Sequence, residues 1–149
     1  MQVQSEIDLQ QLVEGIGDAV IVADRTGAIT MWNPAAERIF GFTEIEALGQ
    51  SLDLIIPERQ RESHWNGYHQ TMQTGQTRYA TDVLRVPAID KAGRRLSIAF
   101  TVALLYSADN EVTGIAAVIR DETTRFNEER TLRKRLEALE ARTAQGGEA

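Results

Sequence analysis

The sequence has no cysteine. That absence removes disulfides, thiolate metal sites, cysteine nucleophiles and any cofactor held through a thioether or thioester. Long apolar runs are missing too. Nothing approaches the roughly 18 consecutive apolar residues of a membrane span, and the polar start MQVQSEIDLQQ has no signal-peptide core. A cytoplasmic protein without membrane contact is expected. Positive charge is scarce: 16 Lys plus Arg against 22 Asp plus Glu leave a net charge of -6, which argues against nucleic acid as a partner held by bulk charge. No Ser/His/Asp order and no glycine-rich strand-to-helix loop is present, so hydrolysis and kinase chemistry lack candidates. What remains is a globular composition, 42% hydrophobic and 26% charged over 149 residues, enough for one domain and a short appendage.

Turn and cap chemistry divides that length. Ser5 with Asp8 reads as a capping box ahead of Leu9, Leu12, Val13 and Ile16 at helical spacing. The β-rich run DAVIVAD (18–24), the turn Asp24-Arg25-Thr26-Gly27 and a second run from Ala28 to Trp32 predict a hairpin. Asn33-Pro34 then caps a short helix that Gly41 stops, and Thr43 with Glu46 caps another. Pro57-Glu58 opens a longer helix ending before Gly75. Strand-like runs follow at Tyr79 to Val86, Arg95 to Tyr106 and Glu111 to Arg120. The chain closes with a charged helix from Asp121 to Thr143 and a frayed tail, Gln145 to Ala149. Two early strands and three late ones predict an α+β domain with one five-stranded antiparallel sheet, short helices on one face and amphipathic helices at both ends. The expected division is a cap helix over 1–16, a core over 17–121 and a C-terminal helix with its tail over 122–149.

The blocks DAVIVADRTGAITMWNPAAERIFGFTEIEALGQ, KAGRRLSIAFTV and GIAAVIRDETTR resemble a PAS domain from Leu12 to Arg125, with Asp121 and Thr123 matching the Asp-x-Thr at the family's exit. The resemblance implies a sensory or dimerisation module, in which Asp121 and Thr123 relay a signal to the last helix. Members that form a cysteinyl flavin adduct or carry a thiol-linked chromophore are excluded by the missing cysteine. A noncovalent flavin lies outside that argument, and no residue is specific enough to support one. The segment Pro57-Glu58-Arg59-Gln60-Arg61-Glu62-Ser63-His64, followed by Tyr68, resembles the Pro-Glu-x-x-Arg-x-x-His segment of heme PAS domains in bacterial oxygen-sensing kinases. It implies heme b with His64 as the iron ligand. In that group an arginine on the following strand reaches bound gas or a propionate; Arg85 falls near it, one residue off in spacing. Phe100 and Val102 align as the apolar distal wall.

Helical geometry weighs His64 against His69. At 100° per residue His64, Tyr68, Met72, Trp65 and His69 fall across an arc of about 140°, so the two histidines edge one apolar face from opposite sides. Their i,i+5 spacing misses the i,i+4 pairing of a helical zinc site. His64 is preferred as ligand, His69 is the alternative, and Met72 is expected to pack. The expected function is a non-enzymatic sensor of O2, CO, NO or redox state, acting as a homodimer on a downstream effector, either a further domain or a separate protein. The seam Leu132, Leu136, Leu139 is short for a free-standing coiled coil, so it calls for help from the N-terminal helix or for docking on the sheet. Two rivals stay open. One is a cofactor-free or small-organic-acid-binding interaction module, with Arg85 facing the carboxylate. The other is a heme enzyme, for which Phe100 and Val102 supply no acid or base.

Overall fold

The computed structural model describes residues 6–77 and 81–146. Five strands form one antiparallel sheet: β1 (Ala19–Asp24), β2 (Ile29–Trp32), β3 (Leu84–Ile89), β4 (Arg95–Tyr106) and β5 (Val112–Asp121), in spatial order β2-β1-β5-β4-β3. First and last strands therefore lie side by side, with β1 running against β5 from Ala19↔Ile119 to Asp24↔Gly114. The helices are α1 (Leu9–Gly15), α2 (Pro34–Phe40), α3 (Glu44–Ala47), α4 (Glu58–Thr74) and α5 (Thr123–Gly146), with a 3-10 turn over Leu52–Ile55.

Local chemistry sets most boundaries. Asp24 accepts from Thr26 N, Thr26 Oγ1 and Ala28 N, folding the β1–β2 turn around one carboxylate. Asn33 is buried; its Oδ1 accepts from Val20 N at 2.8 Å and Ala36 N at 3.1 Å, and its Nδ2 donates to the carbonyls of Val13 and Asp18. One side chain thus caps α2 and ties it to β1 and to the end of α1. Thr43 and Glu46 complete the capping box of α3, and Gly75 ends α4 at φ 69°.

Three elements differ most from the sequence reading. Asp8 is itself the N-cap of α1, accepting from Gln11 N, and Ser5 lies outside the described residues. The third strand runs from Leu84 to Ile89 rather than from Tyr79 to Val86; Tyr79 and Ala80 lie outside the described residues, as do 147–149 of the tail. Pro87 is accommodated because β3 is an edge strand, where a missing N–H breaks no second ladder. The last helix starts at Thr123 and runs to Gly146.

The core lies between the sheet and α2, α3 and α4. Ala19, Ile21 and Ala23 of β1, Trp32 of β2, Ile98 of β4 and Ile119 of β5 meet Ala36, Phe40, Tyr68 and Met72 from the helices. Trp32 and Phe40 are fully buried with ring centroids 5.8 Å apart, each contributing about 2–3 kcal/mol through burial. No residue of α1 or α5 is buried, and none of the helices among the described residues is long and apolar enough to cross a membrane.

Candidate functional site

The site is built on α4, whose inward face is read directly from burial. Tyr68 and Met72 are buried, His64 and Trp65 are half-buried, and His69 is exposed. The histidines thus part company: His64 turns toward the domain, while His69 stacks on the outer side of Trp65 with ring centroids 6.0 Å apart. The His64 ring meets Trp65 edge-on at 4.7 Å and Tyr68 at 5.7 Å. Its Nδ1 is buried and has no hydrogen-bond partner. Burial lowers the pKa of His64 below the usual imidazole value, with the nearby Asp53 carboxylate opposing the shift.

Two aromatic residues pin α4 to the sheet. Tyr68 donates its hydroxyl proton to the Asp24 carbonyl, and burial, with the Asp24 charge added, pushes its phenol up to about 12. Trp65 Nε1 donates to Asp53 Oδ1 at 2.8 Å, while its ring lies over Gly27 of the β1–β2 turn. A Cβ built on Gly27 would fall 2.1 Å from Trp65 Cη2, so the turn must present bare backbone there. Arg61 ties the start of α4 to the 3-10 turn, donating to the carbonyls of Ile56 and Asp53.

The strand residues separate by face. Phe100 pairs across to Ile119 and Val102 to Ala117, both on the side of the core, and both side chains are half-buried. Val102 lines a groove of about 440 Å³ with Gly75, Gln76, Thr77, Leu104 and Tyr106. That groove opens at the C-terminal end of α4, about 16 Å along the helix from His64 at 1.5 Å per residue. Arg85 is a correction. It pairs with Ala99 on the opposite face, and its Nε lies 3.4 Å from Glu122 Oε2. Leu84, opposite Phe100, takes the inward position. The one-residue difference in spacing decides this, because side chains alternate along a strand. Arg85 therefore reaches neither a group held against α4 nor a carboxylate enclosed there.

Asp121 and Thr123 come together at the start of α5. Asp121 Oδ1 accepts from Thr123 N at 2.9 Å and from its hydroxyl, and Thr123 Oγ1 accepts from Ser97 N at 3.0 Å. The end of β5, the start of β4 and the first turn of α5 are thereby one hydrogen-bonded unit. Leu132, Leu136 and Leu139 are each more than half exposed along α5.

Sequence reasoning passes over three residues. Asp53 receives the Trp65 indole, and Asp18 pairs with Arg120 at 3.2 Å. Gln60, one helical turn before His64, also has a buried polar atom, Oε1, without a partner. Its i,i+4 relation to His64 is the signal that could have found it. Among the described residues no three His, Asp or Glu side chains stand close enough to hold a metal ion by themselves.

The family model described as the PAS fold matches residues 7–121. The chain is 42% identical over 59 residues to the sensor protein FixL of Bradyrhizobium diazoefficiens, covering 40% of this chain and 12% of that one. It is 26% identical over 121 residues to the signal transduction histidine-protein kinase AtoS of Escherichia coli, covering 81% of this chain and 19% of that one. It thus spans under a fifth of the length of these relatives. Among solved structures, the PAS domain of a Colwellia psychrerythraea protein superposes with a TM-score of 0.68 at 19% identity, over 78% of this chain and 95% of that one.

Proposed function

The chain belongs to the PAS fold family, and from that premise we propose that it binds heme b through His64 and responds to O2, CO, NO or redox state. It is a sensory domain of the kind found in signalling proteins. The observation that carries the heme reading is His64 itself: a half-buried imidazole on the inward face of α4, flanked by Trp65 and Tyr68. Likeness to a sensor protein over 59 residues supports the same reading, as does the Pro57-to-His64 segment.

The residues present fit the group in donor chemistry and in polarity. His64 would supply a nitrogen ligand to the iron, and Tyr68, Met72, Leu84 and Phe100 would give it an apolar surround. When bound, heme supplies an iron that takes a diatomic ligand and changes its electronic state. The protein's part is to couple any displacement of His64 to the sheet. Trp65 and Tyr68, which flank the ring, hold α4 to Asp53 and Asp24, and β1 lies against β5, which ends at Asp121. Asp121 and Thr123 then pass the change into α5, whose Leu132, Leu136 and Leu139 seam packs in a homodimer that addresses an effector. With Arg85 on the opposite face, the described strand residues of that side, Leu84 and Phe100, are apolar and offer no hydrogen-bond donor. Neither of these two side chains supplies a polar contact for gas discrimination or an acid or base for turnover.

A second reading, a cofactor-free interaction module, is favoured by the apolar residues left exposed on the sheet, Met31, Leu105 and Val118. One spectrum separates the two. Expressed with heme supplied, the chain should show a Soret band at one heme per chain, lost in His64→Ala and retained in His69→Ala. A colourless protein overturns the heme reading and leaves the module.

A further inference from the structure

Gln60 Oε1 and His64 Nδ1 are buried polar atoms without a partner, and they project from the same side of α4 one turn apart. Two such atoms on adjacent turns of one helix are unusual, because a buried polar group left unpaired keeps its desolvation cost uncompensated. Their chemistries are complementary. An amide oxygen can only accept, and Nδ1 of a neutral imidazole can carry the ring's proton. Three acceptors on the neighbouring turn are engaged: Asp53 Oδ1 receives Trp65 Nε1, and the carbonyls of Asp53 and Ile56 receive Arg61. A single hydrogen bond between Gln60 and His64 would satisfy both orphaned atoms at the cost of a side-chain rotation.

We propose that Gln60 is the positioning residue of His64: its amide oxygen takes the Nδ1–H proton, directly or through one water, and holds the ring in the tautomer whose Nε2 lone pair is free for iron. What Nε2 meets rests on the heme reading; the hydrogen bond does not. A histidine that binds a metal through one nitrogen ordinarily donates the other N–H to such an acceptor, which fixes the ring and raises its basicity.

The test uses the full 149-residue chain, ¹⁵N-labelled and free of heme. Long-range ¹H–¹⁵N correlation spectra at about pH 8 report which ring nitrogen of each histidine carries the proton; His69→Gln assigns the signals. His64 should be in the Nδ1–H form, remain so in Gln60→Glu, which keeps an acceptor, and shift toward Nε2–H in Gln60→Leu. Far-UV circular dichroism checks that each variant is folded. A wild-type ring in the Nε2–H form overturns the proposal, since Gln60 would then donate rather than accept. So does a Gln60→Leu spectrum like wild type, or a tautomer that follows Asp53→Asn instead. A heme titration forms the second arm: Gln60→Leu should weaken heme affinity about 10- to 100-fold and Gln60→Glu should restore it. If the tautomer follows Gln60 but heme does not bind, the heme reading fails and the positioning role stands. If heme binds through His64 while tautomer and affinity ignore Gln60, the positioning role fails and the heme reading stands.

Discussion

Replacing Gly27 by Ala probes the contact that sets α4, and with it His64, against the sheet. Gly27 has φ +86°, where an L side chain is strained by about 1–2 kcal/mol, and its new Cβ would lie 2.1 Å from Trp65 Cη2 and 2.3 Å from Cζ3. Trp65 cannot yield freely, because its Nε1 is held by Asp53 and its ring is packed against Tyr68 at 5.2 Å. Displacing it adds about 1–3 kcal/mol of overpacking. Gly49→Ala is the internal control, since Gly49 has nearly the same φ, +81°, and nothing within 4 Å of its Cβ position. At about 3 °C per kcal/mol for a chain of this length, Gly49→Ala should lower Tm by about 3–6 °C and Gly27→Ala by about 6–15 °C. Urea and thermal melts followed by far-UV circular dichroism measure both without relying on tryptophan emission. In a Trp65→Ala background the cost of Gly27→Ala should fall to that of Gly49→Ala. Equal costs for the two glycines in the wild-type background would refute the steric reasoning.

Asn33→Ala strips partners from the buried N–H groups of Val20 and Ala36 and from two carbonyls; it should cost roughly 3 kcal/mol in urea unfolding. The pH dependence of the heme-free chain follows from His64, whose folded pKa lies below the ordinary 6.5. As pH falls below about 6.5 the unfolded chain takes up a proton that the buried ring resists, so stability declines until the folded ring also protonates; His64→Gln should remove that decline. Leu84→Arg places a guanidinium on the inward face and should raise O2 affinity relative to CO in the heme-loaded protein. Arg85→Ala, which removes only the outer pairing with Glu122, should leave both gas affinities unchanged. Sedimentation should show a concentration-dependent dimer that Leu136→Glu dissociates.

Much of the fold is legible because its signals are local. Asn33-Pro34, Thr43 with Glu46, the Asp24-to-Gly27 turn and Gly75 act through hydrogen bonds and dihedral angles within a few residues of themselves, so short stretches of sequence report them faithfully. The third strand is less legible: Pro87 reads as a breaker until the sheet order places it on an edge. The candidate site divides in the same way. The helical phase puts His64, Tyr68 and Met72 on one face, and burial on α4 follows that phase. The contacts of Trp65 with Asp53 and Gly27 join segments 12 and 38 residues apart, and no local pattern announces them.

By itself the sequence determined the α+β order of elements, the caps and turns, and the exclusion of every chemistry that needs a thiol. These depend on composition or on neighbours along the chain. Only the tertiary structure decided which face of β3 carries Arg85, that His64 rather than His69 turns inward, and that Gln60 Oε1 and His64 Nδ1 are left buried and unpaired. The physical reason is that facing and burial depend on strand register and on what packs across the core. A one-residue change in register exchanges the two faces of a strand while leaving its composition and hydrophobic content unchanged.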